Sequence, residues 1–219
     1  IEDCSPNVIT HQDLFFKHAK NVLIKMSPML DISVGITALK HVKTVYIVAV
    51  KNEVKELLFH QEKGFNGSAT VQTLNSHPNG DELFSFETLE EETAEASYSS
   101  PKCYLYEPNA AMMKSGGFKL ISEKFKLDKL DPQTHLYTSD EKIENFPGKL
   151  YQISNYYPYQ KKPLKKEIGG LKANVKTRNF SEKIEALKTL FKLSDGGDLY
   201  LFFTTSNDKK IVVEGRLVD

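Results

Sequence analysis

An alternation of helical and strand-like apolar patterns over the first 86 residues constrains the fold most. Apolar residues recur at helical spacing in three stretches, which predicts helices over residues 7–20, 32–40 and 53–63. Apolar runs rich in β-branched residues predict strands over residues 21–26, 42–50, 68–74 and 83–86. This order is typical of an open, mainly parallel sheet covered by helices. It matches the second half of an α/β domain, whose glycine-rich cofactor-binding turn we expect upstream of residue 1.

The pattern changes after residues 87–101, an acidic and then serine-rich stretch that predicts a linker. We therefore expect two domains, residues 1–95 and 96–219. Beyond the linker, short strands and helices are predicted, and the chain ends in an antiparallel hairpin. The predicted fold class is α/β, with the second half of a Rossmann-like sheet followed by a small α+β domain.

The charges are balanced overall and segregated along the chain. The sequence has 29 basic and 29 acidic residues, so its net charge does not indicate a nucleic-acid binder. Residues 81–95 nevertheless hold seven acidic side chains and no basic one, whereas residues 149–192 hold eleven Lys or Arg and three Glu. No apolar run approaches the ~20 residues of a membrane span. Cys4 and Cys103 have no metal-ligand spacing, and we expect reduced thiols in a cytoplasmic protein without a membrane partner.

A basic strand is the most specific candidate for a binding site. Alternation along residues 171–179 places cationic side chains on one face of the predicted strand, namely Lys172, Lys176 and Arg178. Further cations lie just upstream, beside three tyrosines: Lys161, Lys162 and Lys165. Cations along an extended surface with aromatic rings nearby are suited to a phosphate backbone and unstacked bases. The alternative is a solvated lysine-rich face with no ligand.

Two other groups of polar residues are weaker candidates. Glu107 and Asn109 could form a polar pocket against Tyr104 and Tyr106, but a strand leading into a helix, with one of them satisfying free amides, is favoured. His135 and Asp140 could belong to a hydrolytic site assembled in space. Residues 138–141 are better explained as a helix N-cap followed by acids. No glycine-rich phosphate loop or nucleophile elbow occurs in the sequence.

Several motifs together resemble a known family. They are residues 104–118 (YLYEPNAAMMKSGGF), 135–140 (HLYTSD), 146–148 (FPG), 173–180 (ANVKTRNF) and 195–201 (DGGDLYL). These stretches resemble the C-terminal THUMP-like domain of a bacterial family of class I S-adenosylmethionine-dependent methyltransferases. Residues 4–50 are similar to the later part of that family's methyltransferase domain, including residues 25–31 (KMSPMLD), and residues 50–53 (VKNE) extend the likeness.

The resemblance implies a fragment of an RNA methyltransferase. S-adenosylmethionine would serve the full-length parent, with its glycine-rich loop and catalytic motif upstream, so we expect no bound cofactor and no turnover by this chain. Glu2 and Asp3 would border that site. The THUMP-like part implies RNA as a partner, with Lys172, Lys176 and Arg178 matching the family's basic strand. The missing N-terminal half would be a second partner, and the oligomeric state stays open. The alternative is a non-catalytic interaction module.

Overall fold

A computed structural model describes residues 7–218, which form seven helices and twelve strands. Glu2, Asp3 and Cys4 lie outside the described residues. The helices are α1 (Val8–His18), α2 (Ile32–Ala38), α3 (Thr88–Thr93), α4 (Ala110–Ser115), α5 (Phe118–Phe125), α6 (Lys161–Ile168) and α7 (Ile184–Phe191). The strands are β1 (Asn21–Met26), β2 (Val42–Val50), β3 (Glu53–Glu62), β4 (Thr70–His77), β5 (Gly80–Glu87), β6 (Tyr104–Pro108), β7 (Asp128–Asp131), β8 (Thr134–Ser139), β9 (Gly148–Pro158), β10 (Asn174–Arg178), β11 (Leu199–Ser206) and β12 (Lys209–Leu217).

The chain divides into two compact units. The first runs to Ala94 and also includes Asn109–Gly117, and the second comprises Glu95–Pro108 and the residues from Phe118 onward. The first unit's main segment ends at Ala94, one residue before the boundary expected after residue 95. Helix α4 lies beyond that boundary in the sequence but belongs to the first unit. Within residues 7–218, no helix is both long and apolar enough to cross a membrane.

The first unit contains a five-stranded sheet with the order β1-β3-β2-β4-β5. Of the pairs formed by the described residues, only β2–β4 is parallel; β1–β3, β2–β3 and β4–β5 are antiparallel. The expectation of mixed α/β structure is confirmed, but the expectation of a mainly parallel sheet is wrong. The reason is β3, which returns antiparallel from β2 through a tight turn and separates β2 from β1.

Residues 53–63, expected to be a helix, form strand β3 instead. Leu57 and Leu58 fit helical spacing with Val54, but the buried residues of the strand alternate, as Leu57, Phe59 and Gln61. The two residues before it, Lys51 and Asn52, both have positive φ, at 51° and 62°. Two such residues form the tight turn that joins antiparallel strands, so the local backbone favours a hairpin.

One face of this sheet is covered by helices. The Gln12 side chain of α1 accepts a hydrogen bond from Gln61 Nε2 at 2.8 Å. Gly35 of α2 lies against the Phe59 ring so closely that a Cβ atom there would come within 2.3 Å of it. Fully buried Ile47 lies in the core of the unit. The Asn7 side chain begins α1 by accepting from Ile9 N at 3.0 Å.

A polar network attaches α4 to the sheet. Asn109 caps α4 by accepting from Met112 N at 2.9 Å, and its amide donates to Glu82 Oε2 at 2.8 Å. Buried Asn75 donates to the same oxygen at 2.7 Å. Asn52 accepts from the α4 backbone at Ala110 N, at 2.7 Å, and its own N–H donates to Asn75 Oδ1. We call Asn52, Asn75, Glu82 and Asn109 the Asn109 network.

The second unit contains a seven-stranded sheet with the order β10-β11-β12-β9-β6-β8-β7, in which only β10–β11 is parallel among the described pairs. Helices α6 and α7 cover one face through Leu164, Ile168, Leu187 and Phe191. Successive residues of β11 pack into two different hydrophobic cores, one on each face of the sheet. Leu201 and Phe203 pack under these helices, whereas Phe202 packs in the core on the opposite face.

This sheet curls until its far strands approach β11. Thr134 Oγ1 of β8 donates to Thr205 O at 2.8 Å, and Asn207 N donates to Leu130 O at 3.0 Å. The second core, which includes Leu105, Leu130, Leu136, Tyr151, Phe202 and Val213, therefore lies inside the curl. The curved interior is the setting of the candidate site.

Smaller expectations also change. The predicted linker contains helix α3, which begins with a capping box between Glu87 and Glu90. Residues 138–141 do not begin a helix, because Thr138 and Ser139 end strand β8. Cys103 is exposed and forms no disulfide among the described residues.

Candidate nucleic-acid interface

Glu107 is a carboxylate buried in the second unit. It lies near the end of β6, where it pairs with Lys149 of β9, and only 8% of its side chain is exposed. Tyr151, fully buried on β9, donates its hydroxyl hydrogen to Glu107 Oε2 at 3.1 Å. Burial and the adjacent Glu107 charge raise the pKa of the Tyr151 hydroxyl, so it remains a protonated donor.

Two cations from β10 complete the ion pairs of this carboxylate. Lys176 Nζ contacts Glu107 Oε2 directly and donates to Tyr151 Oη at 3.0 Å. Arg178 Nη2 donates to Glu107 Oε1 at 2.7 Å. A charge-assisted contact of this kind is among the stronger hydrogen bonds in proteins. We call Glu107, Tyr151, Lys176 and Arg178 the Glu107 cluster.

Aromatic rings surround the ammonium group of Lys176. Its Nζ lies 5.4 Å from the centroids of the Tyr151 and Phe202 rings and 5.7 Å from that of Tyr200. Ring faces attract a cation, which partly compensates for its lost hydration. Burial lowers the pKa of Lys176, and its contact with Glu107 opposes that change. Tyr200 is only partly buried, so an aromatic surface lies beside the cations.

The cluster carries more positive than negative charge, since one carboxylate meets two cations. Arg178 is the more accessible, with 42% of its side chain exposed against 24% for Lys176. A guanidinium has five N–H donors. The contacts of Arg178 within residues 7–218 are to Glu107 and to its own strand, through Nη1 to Thr177 O at 3.1 Å. The remaining donors can bind an anion, and Glu107 holds the group in place.

The pKa of His135 is lowered by its burial and by nearby positive charges. It stacks on Phe118 with ring centroids 3.6 Å apart, and its buried Nδ1 has no hydrogen-bond partner among the described residues. Burial, followed by the charges of Lys129 and Arg178, lowers the pKa of His135 to about 4. The histidine is therefore neutral at physiological pH.

The structure separates the predicted cationic residues into three groups. Lys176 and Arg178 lie on one face of β10, as alternation predicted. Lys172 is exposed and precedes the strand, where it forms an isolated bridge with Ser194. That it shares a face with the other two stays a prediction, since strand β10 itself begins only at Asn174.

The upstream lysines lie on the other side of the sheet. Lys161, Lys162 and Lys165 belong to α6 and are exposed. This helix packs through Leu164 and Ile168 on the core opposite to the Glu107 cluster. Tyr159, one of the three tyrosines near these lysines in the sequence, packs against the same core and donates to Glu182 at 2.6 Å. The six predicted cations therefore do not form one surface.

The interpretation of residues 104–109 is confirmed for one residue. Asn109 is a helix cap, as favoured, whereas Glu107 belongs to an ion-pair cluster that sequence reasoning missed. The sequence did contain one sign of this role, because Glu107 is a charged residue within a short strand that is otherwise mostly apolar. The described contacts do not join His135 to Asp140; Asp140 instead lies 3.6 Å from Lys102. The geometry gives no support to a hydrolytic pair.

The described residues do not fit S-adenosylmethionine as a class I fold would hold it. That mode uses a glycine-rich turn between a strand and the helix that follows it. Within residues 7–218, none of the strand-to-helix connections holds a glycine; β1, for example, reaches α2 through the sequence SPMLD.

Two models of known domain families match the chain over residues 104–216. Residues 148–216 match a family model described as THUMP domain-like, and residues 104–147 match one described as a ferredoxin-like domain. The expectation of a THUMP-like C-terminal domain is confirmed in this general sense. Together the two matches contain all four members of the Glu107 cluster.

A solved structure extends the likeness to the whole chain. A candidate methyltransferase from Porphyromonas gingivalis W83 is similar to this chain, with 30% sequence identity and a TM-score of 0.93. The match covers 100% of this chain and 56% of that one, so the present chain spans a little over half the length of its structural relative. No curated protein matches the sequence.

Proposed function

We propose that this chain is the RNA-recognising part of an S-adenosylmethionine-dependent methyltransferase. The structural likeness to the Porphyromonas gingivalis protein supports the methyltransferase part of this proposal. The THUMP-like match supports the RNA-recognition part. The single observation that carries the proposal is the Glu107 cluster, in which a buried carboxylate positions an arginine with unused donors and a lysine that lies beside aromatic rings. Phosphate groups and unstacked bases require that combination.

In this proposal, Arg178 contacts an RNA phosphate and Lys176 contributes charge from a more buried position. Tyr200 offers a ring for stacking beside them. Glu107 holds both cations and does not itself contact RNA, since a carboxylate would repel phosphate. The lysines of α6 form a separate, solvated surface, and Lys172 lies outside the Glu107 cluster.

The test is the affinity for a labelled RNA hairpin, measured by fluorescence anisotropy at several salt concentrations. Arg178→Ala should weaken binding about tenfold and lower the salt dependence by about one counterion. A triple change of Lys161, Lys162 and Lys165 to Ala should have a smaller effect. Lys17→Ala, an exposed helical lysine of the first unit, controls for net charge.

The opposite ranking would contradict the proposed site. If the α6 triple variant lost binding and Arg178→Ala did not, the RNA surface would be the lysine-rich helix. If neither variant bound RNA less well than the wild type, the alternative of a non-catalytic interaction module would be favoured.

In this proposal, a part of the full-length protein outside this sequence holds the cofactor. Calorimetric titration of this chain with S-adenosylmethionine should therefore show no binding. Micromolar binding by the isolated chain would overturn that assignment.

A further inference from the structure

A concave depression of about 250 Å³ lies in the second unit and shares no residue with the Glu107 cluster. Its walls come from the end of β9, from the hairpin between β11 and β12, and from the segment that precedes β6. Pockets for drug-sized molecules usually measure about 300–1,000 Å³. The depression is therefore suited to one small chemical unit rather than to a long segment of polypeptide.

The hairpin turn that forms one wall is held in place by strand β7. Asn207 and Asp208 both have positive φ, at 48° and 60°, which is typical of a tight turn between antiparallel strands. Asn207 N donates to Leu130 O at 3.0 Å, and Asp208 N donates to Asp131 Oδ2 at 3.0 Å. These contacts fix the turn against a second strand, so a ligand would meet a wall that is already ordered.

Tyr156 supplies an accessible aromatic ring to the depression. It pairs with Val213 across β9 and β12, which places its side chain on the sheet face of the second core. Tyr156 is 43% exposed, whereas Ile211, which also lines the depression, is buried. The depression thus combines an accessible ring face with a buried apolar surface, and a planar group can stack in such a place.

The charged lining of the depression is basic. Of the described residues, two lysines line it and no acidic side chain does. Lys210 donates to Ser181 Oγ at 2.6 Å and lies 5.0 Å from the centroid of the Phe180 ring. Lys209 is exposed, and neither its ammonium group nor the Tyr156 hydroxyl has a polar partner within residues 7–218. An anionic group beside the ring would therefore meet an available cation.

We infer that this depression binds one unpaired nucleotide of an RNA strand, with the base stacked on Tyr156 and a phosphate beside Lys209. The inference rests on the proposed function, which makes RNA the partner. A nucleotide is a small unit that joins a planar ring to an anionic group, and stacking on an aromatic side chain accepts any base. Ser100 and Asn207, which are joined by a long hydrogen bond of 3.4 Å, offer hydroxyl and amide groups to the edge of the base. The base must be unpaired, because a base within a duplex cannot be splayed onto the ring.

The test is the affinity of this chain for fluorescently labelled hexauridylate, a single-stranded RNA whose bases do not pair with one another, measured by anisotropy. Tyr156→Ala should weaken binding about tenfold, because the stacking of one base on the ring is lost. Tyr156→Phe keeps the ring and should bind within about twofold of the wild type. Tyr98→Ala is the matched control, since Tyr98 is a similarly exposed tyrosine of the same unit that does not line the depression. Lys209→Ala should make the slope of log affinity against log salt shallower by about 0.7, the value for one phosphate of a single strand.

The inference is overturned if hexauridylate does not bind the wild type, if Tyr156→Ala binds it as tightly as the wild type, or if Tyr98→Ala weakens binding equally. Melting curves verify that the variants are folded. If Arg178→Ala weakens hairpin binding while Tyr156→Ala leaves hexauridylate binding unchanged, the depression is excluded and the proposed RNA site stands. If hexauridylate binding depends on Tyr156 while hairpin binding does not depend on Arg178, the depression stands and the Glu107 cluster is excluded.

Discussion

Two polar clusters include neighbouring buried residues, Glu107 and Asn109, and differ in what they can do. The Asn109 network joins amide groups and one carboxylate, and its hydrogen bonds fix helix α4 to the first sheet. The Glu107 cluster holds two cations on one carboxylate and leaves guanidinium donors open to solvent. This difference shows that the burial of polar groups does not by itself indicate a binding site. A binding site is indicated when the charges are unbalanced and hydrogen-bond donors remain unused.

The largest effect should come from removing the carboxylate of the Glu107 cluster. Glu107→Ala would leave Lys176 mostly buried and without its ion pair, and should lower the free energy of unfolding by about 3–5 kcal/mol in urea denaturation. The double variant Glu107→Leu with Lys176→Met replaces the pair by apolar groups and should recover most of that loss. A single variant as stable as the wild type would show that the ion pairs are not maintained in solution.

A smaller loss is expected in the Asn109 network. Asn109→Ala removes the cap of α4 and the hydrogen bond to Glu82, and should destabilise the protein by about 2 kcal/mol. Asn109→Ser keeps a cap acceptor and should recover about half of this. If Asn109→Ala were more destabilising than Glu107→Ala, the Asn109 network would contribute more to stability than the Glu107 cluster.

The burial of His135, together with the nearby charges of Lys129 and Arg178, should give stability a pH dependence. The pKa of His135 is about 4 in the folded protein and 6.5 in the unfolded chain, so the unfolded state binds more protons between these values. Stability should therefore fall as pH decreases from 6.5 to 4, by about 1 kcal/mol after allowance for partial exposure.

Comparison of the wild type with His135→Gln isolates this contribution from the carboxylates that titrate in the same range. The variant should lack the additional loss of stability below pH 6.5. Identical pH profiles for the two proteins would show that His135 is not held neutral by its surroundings.

Local patterns predicted those elements whose sequence has only one interpretation. Asn21–Met26 and Val42–Val50 have the bounds expected from their apolar runs. Residues 53–63 satisfied helical and strand periodicity at once, and the turn at Lys51 and Asn52 decided between them. Lysine and asparagine also occur in helices, so the residue types alone did not predict the positive φ values of this turn.

The candidate site was only half predictable for a different reason. Alternation placed Lys176 and Arg178 on one face because that property is local. Their partner Glu107 lies about 70 residues earlier in the chain and meets them only through the order of strands in the sheet. A single sequence contains no signal for that pairing, so the cations were expected to be free and grouped with the lysines of α6.

The salt dependence of RNA binding by Arg178→Ala and Asn109→Ser tests the central contrast most directly. If the Glu107 cluster binds phosphate and the Asn109 network is structural, the slope of log affinity against log salt should become shallower by about one in Arg178→Ala and remain unchanged in Asn109→Ser. Equal slopes for wild type and Arg178→Ala, or a changed slope in Asn109→Ser alone, would contradict the account.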